Sequence, residues 1–332
     1  MKKVTAYGYP RLHWSLVDMA AASKRMFGGF GIAINTYPTV AVAEPEKELC
    51  IETNGFIEER TKHNLILALQ TAKSHGLNIN CKLHIQSNVK QHIGFGSSTQ
   101  IILTAMDAIS SLNNWYVTPK QIIEMSGRGR VSLISWSTHY YGGFCIDAGQ
   151  PYNPKSGYLP SHTPGNRKPS TFIGSWEFPE EWKISLLGES SDVAMPPENE
   201  NAFMNTNAPI DKQCGVNSII ELYHGILPSI IEKDYTMFAT SLNHIQCIGW
   251  NSIEMSLQQE KTLSALQMFW ERNFAVAISS FGPLLSVIHF ENETPIIMKL
   301  AKDCGLSYSG PYDVIKKHNI TSPYNPFIRV DE

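Results

Sequence analysis

Gly94-Phe95-Gly96-Ser97-Ser98-Thr99-Gln100 is the stretch of this chain best suited to chemistry. A glycine- and hydroxyl-rich loop that opens a helix gathers free backbone N–H groups and the positive end of a helix dipole. That arrangement takes anions, phosphate above all. An ordinary strand-to-helix turn with capping serines has the same local pattern. Arg11, His13 and Asp18 fall in Arg11-Leu12-His13-Trp14-Ser15-Leu16-Val17-Asp18, and Arg25 opens Arg25-Met26-Phe27-Gly28-Gly29-Phe30-Gly31. Arginine offers a planar fork for phosphate or carboxylate, and the glycines let backbone approach a ligand closely. A bulged β-hairpin with surface arginines is the plainer reading. Arg128 and Arg130 alternate with glycine in Gly127-Arg128-Gly129-Arg130-Val131-Ser132, suited either to wrapping an anion or to a solvated turn. Asp147 stands where it can ligate Mg2+ or cap a turn, and His92 precedes the glycine loop by two residues.

The elements that must position these groups are legible in outline. Cys81, Leu83 and Ile85 alternate with Lys82, His84 and Gln86, a half-buried strand. Ile101, Ala105, Ala108, Ile109 and Leu112 share one helical face after the loop. Thr61 to His75 reads as a helix closed by Gly76, and Thr118-Pro119-Lys120-Gln121 as a capping-box start. Val131 to Gly149 contains Gly142-Gly143-Phe144-Cys145-Ile146-Asp147, a turn feeding a strand. Pro151 to Pro179 and Pro196 to Pro209 read as irregular, the second as a flap. Cys214 to Glu232 predicts a helix broken near Pro228. Helices follow over Tyr235 to Gly249, Thr262 to Asn273 and Pro295 to Cys304, with strands over Phe274 to Ser279 and Leu284 to Phe290. This order predicts an α+β fold, divided into domains at 1–155 and 156–332.

The 332 residues carry a net charge of −3, with 42% hydrophobic and 17% charged residues. A sizeable core is affordable, and no basic run argues for nucleic acid. No apolar run is long enough to span a bilayer. Six cysteines without a CxxC pair read as reduced, mostly buried thiols of a cytoplasmic protein.

In this order the clusters resemble the GHMP superfamily, and within it a non-kinase branch. That branch comprises the β-ribofuranosylaminobenzene 5′-phosphate synthases and the C-nucleoside synthases of formycin and pyrazofurin type. The resemblance rests on Arg11-Leu12-His13, Gly28-Gly29-Phe30-Gly31, the loop ending in Thr99-Gln100, Gly127-Arg128-Gly129-Arg130-Val131-Ser132, Gly142-Gly143-Phe144-Cys145-Ile146-Asp147 and Ser280-Phe281-Gly282-Pro283. It spans roughly residues 8 to 290. Ser98 departs from the glycine of many members, and Trp14 and Trp136 lie in acceptor-side segments. The resemblance implies an N-terminal ribosomal-protein-S5-like domain and a C-terminal ferredoxin-like domain. It further implies a homodimer joining phosphoribosyl pyrophosphate (PRPP) to an aromatic or heteroaromatic carboxylic acid with Mg2+, releasing CO2 and pyrophosphate.

Under that resemblance Arg11, His13, Asp18, Arg128 and Arg130 form the catalytic set. Arg25, Gly94, Gly96, Ser97, Ser98, Thr99, Gln100 and Ser280 would hold PRPP, and Asp147 the metal. His92 is a second candidate for orienting the acceptor. An ATP-dependent kinase of the same fold is the alternative, disfavoured by the bulky, proline-stopped Ser280-Phe281-Gly282-Pro283. A phosphate-ligand sensor without turnover is a third reading.

Overall fold

A computed structural model describes residues 2–153, 157–159, 168–188, 197–280, 282–318 and 327–331. The strands are β1 (Lys3–Gly8), β2 (Arg11–Asp18), β3 (Arg25–Ala33), β4 (Thr39–Glu44), β5 (Cys50–Gly55), β6 (Lys82–Ser87), β7 (Phe144–Asp147), β8 (Gln150–Pro151), β9 (Phe172–Trp176), β10 (Trp182–Gly188), β11 (Ala275–Ile278), β12 (Leu285–Phe290), β13 (Ser307–Tyr312) and β14 (Ile328–Asp331). The helices are α1 (Glu59–Ser74), α2 (Ser97–Leu112), α3 (Pro119–Ser126), α4 (Ile134–Tyr141), α5 (Pro197–Asn207), α6 (Lys212–Ile220), α7 (Leu227–Glu232), α8 (Tyr235–Cys247), α9 (Gly249–Met255), α10 (Glu260–Trp270) and α11 (Thr294–Asp303).

They build three sheets, ordered β14-β1-β4-β6-β5, β2-β3-β7-β9 with β8 on β3, and β11-β12-β10-β13. In the third sheet every pair is antiparallel, and helices separate β10 from β11 and β12 from β13. That is the βαββαβ arrangement of a ferredoxin-like domain. The fold is α+β, as the order of elements predicts. Pairing crosses residue 155: β9 joins β7, β14 joins β1, and an isolated bridge joins Ile34 to Val314.

The strand over 82–87 alternates as expected, with Leu83 and Ile85 inside. The helix after the loop is more deeply set than its single apolar face implies, since all of α2 except Ser98 and Ser111 is buried. The first sheet covers one side of it, and α4 the other. Helix α4 lies just before the Gly142-Gly143 turn, where the sequence assigns no element. Its Ile134-Ser135-Trp136-Ser137-Thr138-His139-Tyr140-Tyr141 run lacks an amphipathic period because it is clamped on both sides, by α2 and by the second sheet.

The expected flap also differs. Residues 197–207 form helix α5, held by Met204 and Phe203 against Leu16 and Trp250. Local sequence does not favour that helix; tertiary packing supplies its stability. The break near Pro228 is a continuous helix instead. A π-helical segment, Glu221–Ile226, widens the turn before Pro228, so the helix runs on through a residue with no N–H to donate. Trp14 belongs to the core, not to an acceptor pocket. It is fully buried among Phe30, Phe144, Phe178 and Phe238, and its indole N–H donates to Ser286 at 3.0 Å. A side chain of that size stabilises the core by on the order of 3 kcal/mol. All six cysteines are free thiols, but only Cys81 and Cys145 are buried; Cys50 and Cys247 are exposed. No helix of the described residues is long and apolar enough to cross a membrane.

Candidate active site

A cleft of about 210 Å3 opens where the glycine loop, the β2–β3 hairpin, the segment after α3, and helices α1 and α5 meet. Gly96 caps α2 in a left-handed conformation, φ +65°, and has no side chain to satisfy the first N–H groups of the helix. Those donors and the hydroxyls of Ser97, Ser98 and Thr99 line the cleft. Ser98 is tied to α1, accepting from Gln91 Nε2 at 2.5 Å and from Thr61 Oγ1 at 3.2 Å.

Arg11 is the pin of this loop. Its Nη1 donates to Gly94 O at 2.5 Å, its Nε to Ser135 Oγ at 3.1 Å, and its backbone N–H to Phe95 O at 3.0 Å. Arg128 approaches from the other side, with Nε donating to Thr99 Oγ1 at 3.0 Å. Burial, reinforced by Arg128, lowers the Arg11 pKa to about 10. Burial likewise lowers Arg128 to about 10, against the attraction of Glu200. Both stay charged at neutral pH, so two guanidinium ions face a helix N-terminus. Such a site is complementary to a polyanion. Apolar and aromatic residues also line the cleft: Leu16, Ile123, Val131, Trp136 and Met204.

The late turn closes the base. Ser279 Oγ donates to Gly94 O at 2.7 Å and accepts from His13 N at 3.1 Å, while Ser280 N donates to His13 O at 2.9 Å. Gly282 lies against Ile93 and Gly94, where a Cβ would stand 2.5 Å from Ile93 O. Phe281 lies outside the described residues.

Of the residues singled out from sequence, Arg11, His13, Gly94, Gly96, Ser97, Ser98, Thr99, Arg128 and Ser280 line the cleft, as does His92. Others are placed elsewhere. Arg25 straps β3 to the second sheet's edge, donating to Ala148 O and Gly149 O at 2.7 Å and to Thr171 Oγ1 at 2.9 Å. Arg25→Ala is expected to lower stability by about 1–3 kcal/mol, because it strands those acceptors. Turnover should stay within about twofold of wild type, Arg25 being outside the cleft; melting curves and steady-state rates check both.

Asp18 folds back on its own turn, accepting from Ala20 N, Ala22 N and Ser23. Asp147 accepts from Ser132 Oγ, Leu133 N and Gly149 N at 2.8–2.9 Å, and so ties the start of α4 to β7. Burial raises its pKa to about 6. Gln100 faces inward: its Nε2 donates to Ser135 O, and its Oε1 meets His139 Nδ1 at 2.8 Å. His139 Nε2 continues to Asp107 at 2.7 Å. Arg130 is not among the residues lining the cleft; its backbone carbonyl accepts from Gln150 Nε2.

Sequence reasoning missed Glu58, Arg60 and Asn64 around the start of α1, and Glu200 and Met204 on α5. Arg60 left one readable signal, a cation in a helix's first turn, where the dipole disfavours it. Nothing in the sequence distinguishes Glu200, because α5 itself was not readable. Behind Arg11, Glu254 on α9 is buried, its Oε1 accepting from Trp250 Nε1 at 2.9 Å. Burial raises its pKa to about 8 from 4.5, against the pull of Trp250 and Arg11. The native state therefore binds this proton more tightly than the unfolded chain. Its contribution is full below pH 4.5 and is lost as pH rises towards about 8. Glu254→Gln keeps the acceptor for Trp250, so we expect a smaller fall in melting temperature between pH 5 and pH 9 than in wild type.

Residues 63–139 match the model of the GHMP kinases N-terminal domain. The β-ribofuranosylphenol 5′-phosphate synthase of Methanothermobacter thermautotrophicus is 28% identical over 82% of this chain and 84% of its own length. That of Methanocaldococcus jannaschii is 26% identical over 93% and 96%. Residues 63–139 are thus similar to the GHMP N-terminal domain, and over most of its length the chain is similar to non-kinase synthases. Solved GHMP-fold structures superpose on it: phosphomevalonate kinase of Streptococcus pneumoniae with a TM-score of 0.72 at 11% identity, covering 95% of this chain and 100% of that one. Mevalonate diphosphate decarboxylase of Staphylococcus aureus superposes with a TM-score of 0.66 at 12% identity, covering 100% and 99%. At such identities these two structures speak for the GHMP fold alone.

Proposed function

We propose that this protein is a PRPP-dependent C-ribosyltransferase. It joins C1 of ribose 5-phosphate to the carboxylate-bearing carbon of an aromatic acid, with loss of CO2 and pyrophosphate. One observation carries the reading: a single cleft is lined by a helix N-terminus, two arginines and the apolar residues Leu16, Ile123, Val131, Trp136 and Met204. The cationic and N–H groups suit the diphosphate of PRPP, the apolar residues a flat ring. The names of the sequence relatives, ribosylphenol phosphate synthases, support the same chemistry.

Departure of pyrophosphate leaves an oxocarbenium-like C1, so charge on the leaving group must be neutralised. Ser97, Ser98 and Thr99 donate to it, with Arg11 and Arg128 flanking. No enzyme nucleophile is required, since the ring carbon attacks; the protein's work is positioning. A Mg2+ ion would add charge neutralisation at the diphosphate. Asp147 and Asp18 do not fit such an ion, their carboxylates being engaged in closed turns away from the cleft. Glu58 fits. It lines the same cleft as Ser97 and Ser98, and its carboxylate is half-exposed with His92 at 3.0 Å. With the diphosphate oxygens it would complete a substrate-held site.

The test is pyrophosphate release from PRPP across a panel of aromatic acids. The reading fails if ATP, and not PRPP, raises the melting temperature and is consumed.

A further inference from the structure

Behind the glycine loop lies a chain of buried polar side chains that the ribosyl-transfer reading leaves unused. Gln100, in the first turn of α2, donates from Nε2 to Ser135 O at 2.9 Å. A carbonyl can only accept, so the amide is oriented, and its Oε1 is the atom that faces His139 Nδ1 at 2.8 Å. An amide oxygen also only accepts, so Nδ1 carries a proton. On the far side of the ring, His139 Nε2 meets Asp107 Oδ2 at 2.7 Å, and Tyr140 donates its hydroxyl to Asp107 Oδ1 at 2.6 Å. Each contact thus runs one way: Tyr140 and His139 donate to Asp107, His139 to Gln100, and Gln100 to Ser135. Gln100, Asp107, His139 and Tyr140 are each at most 4% exposed. Gly8 closes over them from the end of β1, where a Cβ would stand 3.1 Å from Gln100 Oε1 and 3.4 Å from His139 Cε1. A buried network whose members are matched holds its groups in one arrangement. The chain ends at Ser135, one turn before His139 on α4. Ser135 lines the cleft, and its Oγ accepts from Arg11 Nε at 3.1 Å.

We propose that His139 is a positioning residue for the anion site: it orients the Gln100 amide and, through Ser135, fixes the Arg11 guanidinium at the start of α2. This deepens the ribosyl-transfer reading and rests on it for the role of Arg11 at the diphosphate. The direction of the amide is what matters. Turned over, Gln100 would set its oxygen against Ser135 O and its NH2 against the Nδ1 proton, two repulsive contacts. The His139 Nδ1–H therefore locks it. Without that N–H the amide turns, Ser135 O loses its donor, and Arg11 Nε loses a fixed acceptor. Arg11 also holds Gly94 O through Nη1, so a loosened guanidinium loosens the loop as well. Side chains that are not held in place must be ordered when a ligand binds, which weakens binding. Asp107 and Tyr140 act one step further back, keeping the ring in the orientation that aims Nδ1 at Gln100.

The test measures Kd for inorganic pyrophosphate by calorimetry and kcat/KM for PRPP. The proteins are wild type, His139→Phe, Gln100→Met and Asp107→Asn, each with Arg11 present and again with Arg11→Ala. With Arg11 present, His139→Phe and Gln100→Met should each weaken pyrophosphate binding and lower kcat/KM by about tenfold. Asp107→Asn should stay within about threefold, because asparagine can accept from Tyr140 and donate to Nε2 while Nδ1 keeps its proton. In the Arg11→Ala background His139→Phe and Gln100→Met should cost less than about twofold, since the group they position is gone. A role in folding alone would carry the same loss into both backgrounds. Gln100→Met strands no buried charge, so it reports even where His139→Phe does not fold. Equal losses in both backgrounds, no loss with Arg11 present, or an Asp107→Asn loss as large as that of His139→Phe overturns the assignment. If wild type releases no pyrophosphate from PRPP with any aromatic acid, the ribosyl-transfer reading falls, and the inorganic pyrophosphate affinities still decide the positioning role.

Discussion

Arg11→Ala lowers kcat/KM for PRPP by about 10²–10³-fold, the range seen when one preorganised donor to a developing anion is lost. Two effects add. The side chain uses Nη1 and Nε to hold Gly94 O and Ser135 Oγ, leaving other guanidinium N–H groups for a ligand in the cleft it lines. Removing it deletes a cation beside the α2 N-terminus and also unpins the loop that presents Ser97 to Thr99. Arg11→Lys keeps the charge and loses the fork, so we expect an intermediate defect of about tenfold or more. Burial lowers the Arg11 pKa to about 10 without neutralising it at pH 7. The wild-type rate should therefore show no titration from this residue below pH 9. Steady-state pyrophosphate release measures all three; an Arg11→Ala rate within threefold of wild type removes Arg11 from the anion site.

Gly94→Ala is expected to cost about 2–4 kcal/mol of stability, and PRPP binding with it. Gly94 sits at φ +98°, where a side chain is strained on any background. A Cβ there would also stand 2.5 Å from Ser279 O, a backbone atom that cannot swing aside. The phosphate loop and the late turn touch backbone to backbone, with Ser279 Oγ sealing the contact onto Gly94 O at 2.7 Å. Separating them moves His13 as well, since the same Ser279 Oγ accepts from His13 N. Calorimetric melting should drop by several degrees, and PRPP should protect the variant less than wild type. A melting curve that matches wild type means the two loops are not packed as described.

Much of the scaffold was readable because its signals are local. The β6 alternation, the Thr118–Gln121 capping box and the Pro295 helix start are each decided within a few residues, and each is present. Helices α4 and α5 were not readable, for one reason. Their sequences lack an amphipathic period, because partners distant in the chain bury them: α2 and the second sheet for α4, Leu16 and Trp250 for α5. The same cause hid Glu200, which comes to the cleft only because α5 exists.

The charged candidates divide in the same way. Residue type marks Arg11, Arg25, Arg128 and Asp147 alike as groups that can bind ions. Only packing separates them, because a donor or acceptor already engaged by backbone has little left for a ligand. Arg25 and Asp147 are engaged that way, at Ala148, Gly149, Leu133 and their neighbours. The sequence by itself determined Gly94–Gln100 as a glycine- and hydroxyl-rich helix start, since composition and a helix start are local facts. The tertiary structure decided what joins that loop in one cleft: Arg11 and Arg128, apolar residues around Trp136, and a buried His13 with an unmatched nitrogen among the described residues. Burial and distance across the chain set those properties, and neither is written in residue spacing.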